Sequence, residues 1–206
     1  MTFVFDHPLI KDKLTRMRKI QTESTKFRDN LKEITQLMAY EVTKDLELDR
    51  IEIETPITKM LGYKLKEKIV LIPILRAGLG MVDGLKELIP TASIGHIGIY
   101  RDEETAQPKE YYCKMPANLT NGNAIILDPM LATGGSASKA IEIIKTYRPK
   151  TISFICLVAA PEGLKEIEKN HPDINIYVAA LDEKLNEKYY IVPGLGDAGD
   201  RIFGTK

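Results

Sequence analysis

The chain has 206 residues, equal numbers of basic and acidic side chains at 29 each, and a hydrophobic content of 44%. Such a length supports one α/β domain with a sizeable core, and such an apolar content excludes intrinsic disorder as the main state. The even charge balance argues against non-specific nucleic-acid binding, which depends on neutralising phosphates, while leaving room for a basic pocket that holds one small anion.

The first third reads as helical. Leu14, Met17 and Ile20 suggest a short helix. Phe27, Leu31, Ile34, Met38 and Val42 then recur at three- and four-residue spacing, which predicts an amphipathic helix over about 25–46. Helices of this kind cover a sheet or make a dimer interface. The basic clusters at 16–19 and 64–68 are short and interrupted and read as solvated faces. From Ile69 onward strand and helix alternate. Short apolar runs at 69–72, 94–100, 124–127, 151–159 and 174–179 read as strands, the first of them standing before Pro73. Helical patterns follow at 78–88, 137–147 and 161–170, the last with Pro161 in its first turn. Tyr111 and Tyr112 begin a return strand after a polar loop. Near-continuous apolar strands alternating with helices predict a parallel sheet covered on both faces, in a single domain spanning 1–206. Ligands of such sheets bind outside the carboxyl ends of the strands.

Cys113 and Cys156 are too few and too far apart for a zinc site or a disulfide framework, and Cys156, inside an apolar run, reads as a core residue. No apolar run approaches the roughly 18 residues of a membrane span, and no charged start leads into a secretory apolar stretch. The expected compartment is the cytoplasm.

Four segments fall at the predicted strand ends. In the first, Asp128 closes a strand and the loop Pro129, Met130, Leu131, Ala132, Thr133, Gly134, Gly135 and Ser136 leads into a helix. A helix start offers unpaired N–H groups and the positive end of its dipole. Glycines let the backbone approach a ligand, and hydroxyls add donors. The combination suits a phosphate monoester. Asp128 can accept ribose hydroxyls or help hold a divalent cation. The plainer alternative is a helix cap at Ser136 after a glycine turn. The chain contains no Walker A loop. In the second, Arg76 sits in the turn Pro73 to Gly80, and its rigid charged fork suits a pyrophosphate; an ordinary surface arginine is the alternative. The third is the polar stretch 100–108, where Arg101 can close over an anion as a lid would, or simply sit on a solvated hairpin.

The fourth is the glycine-rich stretch 189–201. Gly194, Gly196 and Gly199 spell a dinucleotide fingerprint, but too little chain follows for the helix, strand and acid that this motif needs. Exposed backbone at Ile191, Gly196 and Ala198 can instead read the edge of a flat base, with a structural turn as the alternative. No Ser-His-Asp or Cys-His arrangement is evident, and His7, His96 and His171 read as structural or exposed.

Together these segments resemble the uracil phosphoribosyltransferases. The likeness runs nearly end to end: His7-Pro8-Leu9, Arg76-Ala77-Gly78, the stretches 95–102, 128–136 and 157–163, and the highly specific run Pro193-Gly194-Leu195-Gly196-Asp197-Ala198-Gly199-Asp200-Arg201. Many members of the wider superfamily carry two adjacent acids in the phosphate loop; here Pro129 takes the second place, as in the uracil branch. The resemblance implies a type I phosphoribosyltransferase fold: an α/β domain with a central parallel sheet flanked by helices, N-terminal helices, a protruding β-hairpin and a C-terminal base-binding hood. It implies transfer of the phosphoribosyl group of phosphoribosyl pyrophosphate (PRPP) to uracil, giving UMP and pyrophosphate in pyrimidine salvage. Carried over by position, Arg76, Arg101, Asp197 and the residues Asp128 to Ser136 would bind PRPP. Ile191, Gly196, Asp197 and Ala198 would bind uracil, with Asp197 and Arg101 as the catalytic pair. Mg2+ would be held mainly through PRPP, with no dedicated protein metal site. The family also implies a homodimer or homotetramer and, as in some relatives, activation by GTP, with neither nucleic acid nor membrane as partner. The competing readings are a transferase for another base, an RNA-binding regulator on this fold, and a nucleotide-binding module without turnover.

Overall fold

The computed structural model describes residues 1–101, the side chain of Arg101 excepted, and 107–205. In chain order the strands are β1 (Thr2–Val4), β2 (Leu48–Glu54), β3 (Lys59–Leu65), β4 (Ile69–Leu75), β5 (Ser93–Ile94), β6 (His96–Arg101), β7 (Pro108–Lys114), β8 (Asn123–Leu127), β9 (Met130–Leu131), β10 (Thr151–Ala159), β11 (Asn175–Leu181), β12 (Lys184–Leu185) and β13 (Ile191–Val192). The helices are α1 (Pro8–Arg18), α2 (Ser24–Val42), α3 (Leu79–Leu88), α4 (Gly135–Thr146), α5 (Pro161–Asn170) and α6 (Ala198–Phe203).

The central sheet runs β1-β11-β10-β8-β4-β6-β7, with β5 beside β4 and β9 beside β10. Every pairing in it is parallel except that of β6 with β7. The alternation of side chains along each strand divides the core into two layers. Leu71, Ile125, Leu127, Ile155 and Leu157 face Phe27, Leu31, Ile34 and Met38 of α2 and Met81 and Leu85 of α3. Val70, Ile72, Ile126, Phe154 and Cys156 face Ala140, Ile141 and Ile144 of α4 and Leu164 and Ile167 of α5. A sheet covered on both faces explains why its strands read as unbroken apolar runs, and it fulfils the α/β expectation.

The boundaries moved for physical reasons. Helix α1 begins at Pro8, where Leu9 N–H donates to Nδ1 of His7 at 3.2 Å, and ends at Arg18, leaving Ile20 beyond it and 89% exposed. Helix α2 stops at Val42 rather than 46, where Thr43 turns its hydroxyl back to Ala39 O at 2.7 Å. Pro73 does not end β4: it pairs with Leu127 of β8, and the strand continues to Leu75 in register with β6. The strand expected over 94–100 is divided at Gly95, whose N–H donates to Leu71 O at 2.9 Å. Helix α4 starts at Gly135 with Gly134 as its cap in the left-handed region (φ 85°), so Ser136 is not the cap. Strands β1, β2, β3, β12 and β13 and helix α6 had no counterpart in the sequence pattern.

The cluster at 16–19 is not a plain solvated face: Met17 is fully buried, and Arg18 carries a bidentate ion pair with Asp182 at 2.6 and 2.8 Å. His171, 5% exposed, shares a hydrogen bond with the Ser138 hydroxyl at 2.9 Å, which fits a structural role.

Candidate active site

The strand ends of β4, β6 and β8 lie side by side, and three of the four segments hang from them. Strand β8 is buried throughout and stops at Asp128, whose N–H donates to Ile155 O at 3.2 Å. Pro129 is buried, and its carbonyl accepts from Leu157 and Val158 N–H at 3.1 Å each. Met130 and Leu131 form β9 against β10. Ala132, Thr133, Gly134, Gly135 and Ser136 then turn into α4. A Cβ on Gly134 would stand 2.9 Å from Gly163 O, so the loop lies hard against α5 and only glycine fits. Helix α4 starts with no side-chain cap, Thr133 is exposed and Ser136 half-buried. Its first N–H groups therefore lack an intrahelical acceptor.

Asp128 is the electrostatic centre of this loop. Loss of hydration pushes its carboxyl up to about 7 from an ordinary 3.8, and the 3.3 Å donation from Met130 N–H offsets only part of that. Cys156, fully buried, is held as a thiol by burial and by the nearby Asp128 charge. Among the described residues no group of three or more His, Cys, Asp or Glu side chains could hold a metal ion. Asp128 accepts this one hydrogen bond, from Met130 N–H, through Oδ1 among the described residues and keeps acceptor capacity to spare.

Arg76 follows β4 directly, after a cis Leu75–Arg76 peptide. The turn beyond it presses on β8: a Cβ on Gly78 would lie 2.3 Å from Leu127 O, one residue before Asp128. The Arg76 guanidinium is 59% exposed, 3.7 Å from Asp200 and 5.7 Å above the Phe203 ring. The arginine turn therefore packs on the end of β8, just before Asp128, on one side and faces the C-terminal helix on the other. The main chain of Arg101 closes β6 in register with Pro108, and the Pro108 ring approaches Gly135 at the distance a Cβ there would meet, 3.9 Å. The Arg101 side chain and residues 102–106 lie outside the described residues.

The C-terminal glycine-rich stretch is built from β13 and the N-terminus of α6. Ile191 is 4% exposed, and its carbonyl would stand 2.2 Å from a Cβ on Gly194. Gly194 and Gly196 have φ of 64° and 79°, and Ala198 is 3% exposed. Asp197 caps α6, accepting from Asp200 N–H at 2.9 Å through Oδ1. Sequence reasoning missed this helix because its six residues carry no readable period. It also missed Asp200 and Phe203 as the neighbours of Arg76, and Arg18 and Asp182 behind Gly194; contacts across 164 residues leave no local signal.

A family model described as uracil phosphoribosyltransferase matches residues 4–205. The chain is 69% identical over 204 residues to a uracil phosphoribosyltransferase of Ureaplasma urealyticum serovar 10, covering 98% of this chain and 99% of the relative. It is 55% identical over 205 residues to a uracil phosphoribosyltransferase of Bacillus licheniformis, covering 99% and 98% respectively. Among solved structures, a protein of Aquifex aeolicus superposes with a TM-score of 0.95 at 42% identity, over 100% of this chain and 99% of that one. A hypoxanthine-guanine phosphoribosyltransferase of Bacillus anthracis superposes with a TM-score of 0.53 at 19% identity, over 77% and 80%, a likeness of fold alone.

Proposed function

The chain belongs to the uracil phosphoribosyltransferase family, and on that premise we propose how its strand-end cleft performs the reaction: uracil and PRPP give UMP and pyrophosphate. Thr133, Gly134, Gly135 and Ser136, with the N–H groups opening α4, bind the ribose 5-phosphate, and Asp128 accepts the ribose hydroxyls. Met130, Leu131 and Ala132 form the floor of that loop with Pro129. Arg76 and Arg101 bind the pyrophosphate. Ile191, Gly196, Asp197 and Ala198 read the uracil edge. The observation that carries this reading is the contact of the arginine turn with both neighbours, since Arg76 stands 3.7 Å from Asp200 of the base-loop helix and Gly78 lies against Leu127 O.

The chemistry needs positioning and charge compensation rather than a covalent nucleophile. Pyrophosphate leaves from the anomeric carbon through a loose, oxocarbenium-like transition state with inversion, as uracil N1 attacks from the opposite face. Asp197 Oδ1 is engaged in capping α6, while Oδ2 has no donor among the described residues and accepts the N1 proton. Asp128 would be the residue to help hold a Mg2+ ion brought mainly by PRPP, because Mg2+ favours oxygen ligands and commonly takes one or two carboxylates plus substrate phosphates. When bound, the ion neutralises leaving-group charge.

The same proposal takes the chain, residues 1–206, as one domain working as a homodimer or homotetramer in the cytoplasm. The exposed apolar side chains of the β2–β3 ribbon, Met60, Leu61 and Tyr63 among them, support association. Two free cysteines fit a reducing compartment, and no helix among the described residues is long and apolar enough to cross a membrane. Activation by GTP rests on the family resemblance alone, and turnover with and without GTP tests it. The deciding assay is UMP formation from PRPP, Mg2+ and uracil, with cytosine, orotate, hypoxanthine and adenine as parallel acceptors. UMP from uracil alone supports the assignment of the base loop; turnover of another base removes it.

A further inference from the structure

Behind the base loop a closed ring of hydrogen bonds uses none of the residues assigned to substrate. Arg18, the last residue of α1, donates through Nη2 to Asp182 Oδ1 at 2.6 Å and through Nη1 to Asp182 Oδ2 at 2.8 Å. Nη1 also donates to Gly194 O at 2.6 Å, and Gly194 N–H donates to Asp182 Oδ2 at 2.9 Å. Both backbone polar groups of Gly194 are therefore held by one ion pair. Asp182 is itself fixed at the end of β11, with its side chain 4% exposed and its N–H donating to Ala159 O at 2.9 Å. A second arginine grips the same loop from the other side. Arg201 donates to Leu195 O at 2.9 Å and to Lys19 O at 2.7 Å, also reaches Met17 O, and lies 4.6 Å above the Phe27 ring.

A buried ion pair is a weak source of stability, because desolvation consumes much of the Coulomb gain and a well-packed apolar pair does as well. What this pair supplies is direction. It fixes the plane of the peptide units on both sides of Gly194, between Ile191 and Gly196, whose backbone groups must meet the base edge at hydrogen-bond distance. We propose that Arg18 and Asp182 are positioning residues for base recognition, setting the shape of the uracil pocket through Gly194 without touching either substrate. The proposal rests on the reading of 191–198 as the base site.

The test separates base from donor. Uracil KM at saturating PRPP, PRPP KM at saturating uracil, kcat and Tm are measured for Arg18→Met, Arg18→Lys, Asp182→Asn and Ala198→Val. Arg18→Met and Asp182→Asn are expected to raise uracil KM by about tenfold or more, with PRPP KM and kcat within about threefold of the parent. Arg18→Lys is expected to fall between, since an ammonium can hold one partner but not the bidentate fork. Unchanged uracil KM in the folded variants, or uracil and PRPP KM rising in step, overturns the proposal. If Arg18→Met does not fold, Arg18→Lys and Asp182→Asn decide. Ala198→Val alters the pocket directly: if it too leaves uracil KM unchanged, the base-site reading has failed rather than the positioning role.

Discussion

At the scale of single residues, Asp128 links stability to pH and, as the proposed acceptor of ribose hydroxyls, to substrate binding. Its carboxyl is raised to about 7, so between about pH 4 and 7 the folded chain holds a proton that the unfolded chain has released. Ionising Asp128 therefore costs native stability, and the cost grows as pH rises through that window and is constant above it. Asp128→Asn is expected to gain more Tm over the parent at pH 8 than at pH 5, measured by calorimetry, while losing about a hundredfold or more in kcat/KM. In the parent, PRPP KM should rise as pH falls below about 7, because a protonated Asp128 accepts ribose hydroxyls poorly; the Asn variant should lack that dependence beyond what the donor's own phosphates contribute. Gly78→Ala is the steric counterpart. Its Cβ would meet Leu127 O at 2.3 Å, backbone that cannot yield without moving β8 and Asp128 with it. A loss of several degrees in Tm together with a raised PRPP KM is expected from thermal scans and kinetics. Residues of this kind were legible in sequence, because a glycine beside an arginine at a strand end states its geometry locally. Arg18 was not, since the cluster around it looks like any charged helix end and its partner lies 164 residues away.

At the scale of elements, legibility followed burial. Strands β4, β8, β10 and β11 showed as apolar runs because both faces are covered. Helix α5 kept its full expected extent, Pro161–Asn170, because proline starts it and Ile167 packs inward while charges face out. The β2–β3 ribbon was invisible, because every one of its residues is exposed or half-exposed and neither strand has a buried face. Leu48, Met60, Leu61, Tyr63 and Leu65 are each more than 40% exposed, an unusual concentration of apolar surface for a lone ribbon. In the proposed homo-oligomer this ribbon lies between copies. Replacing Met60 and Leu61 together with Lys should lower the association state, read by sedimentation at micromolar concentration, with monomer Tm changed by only a few degrees. An unchanged association state would take the ribbon out of the interface.

At the scale of the whole molecule, the sheet order explains how distant segments meet at one end of the sheet. Adjacent strands β8, β4 and β6 deliver Asp128, Arg76 and the main chain of Arg101 to one edge, and parallel pairing makes that edge the carboxyl one for all three. If Mg2+ is held chiefly by the donor, EDTA should abolish turnover while leaving Tm of the free protein unchanged, and added Mg2+ should restore full rate. A large Tm loss in EDTA would point to a structural ion instead. The grip of Arg201 on α1 joins positions 184 residues apart. During synthesis the loop 128–136 can take shape once α4, β10 and α5 pack, whereas the stretch 191–198 waits for α6 to emerge and find its partners at Met17 and Lys19. A nascent chain that carries α5 but not yet α6 is therefore expected to recognise the phosphate end of the donor before it can discriminate between bases.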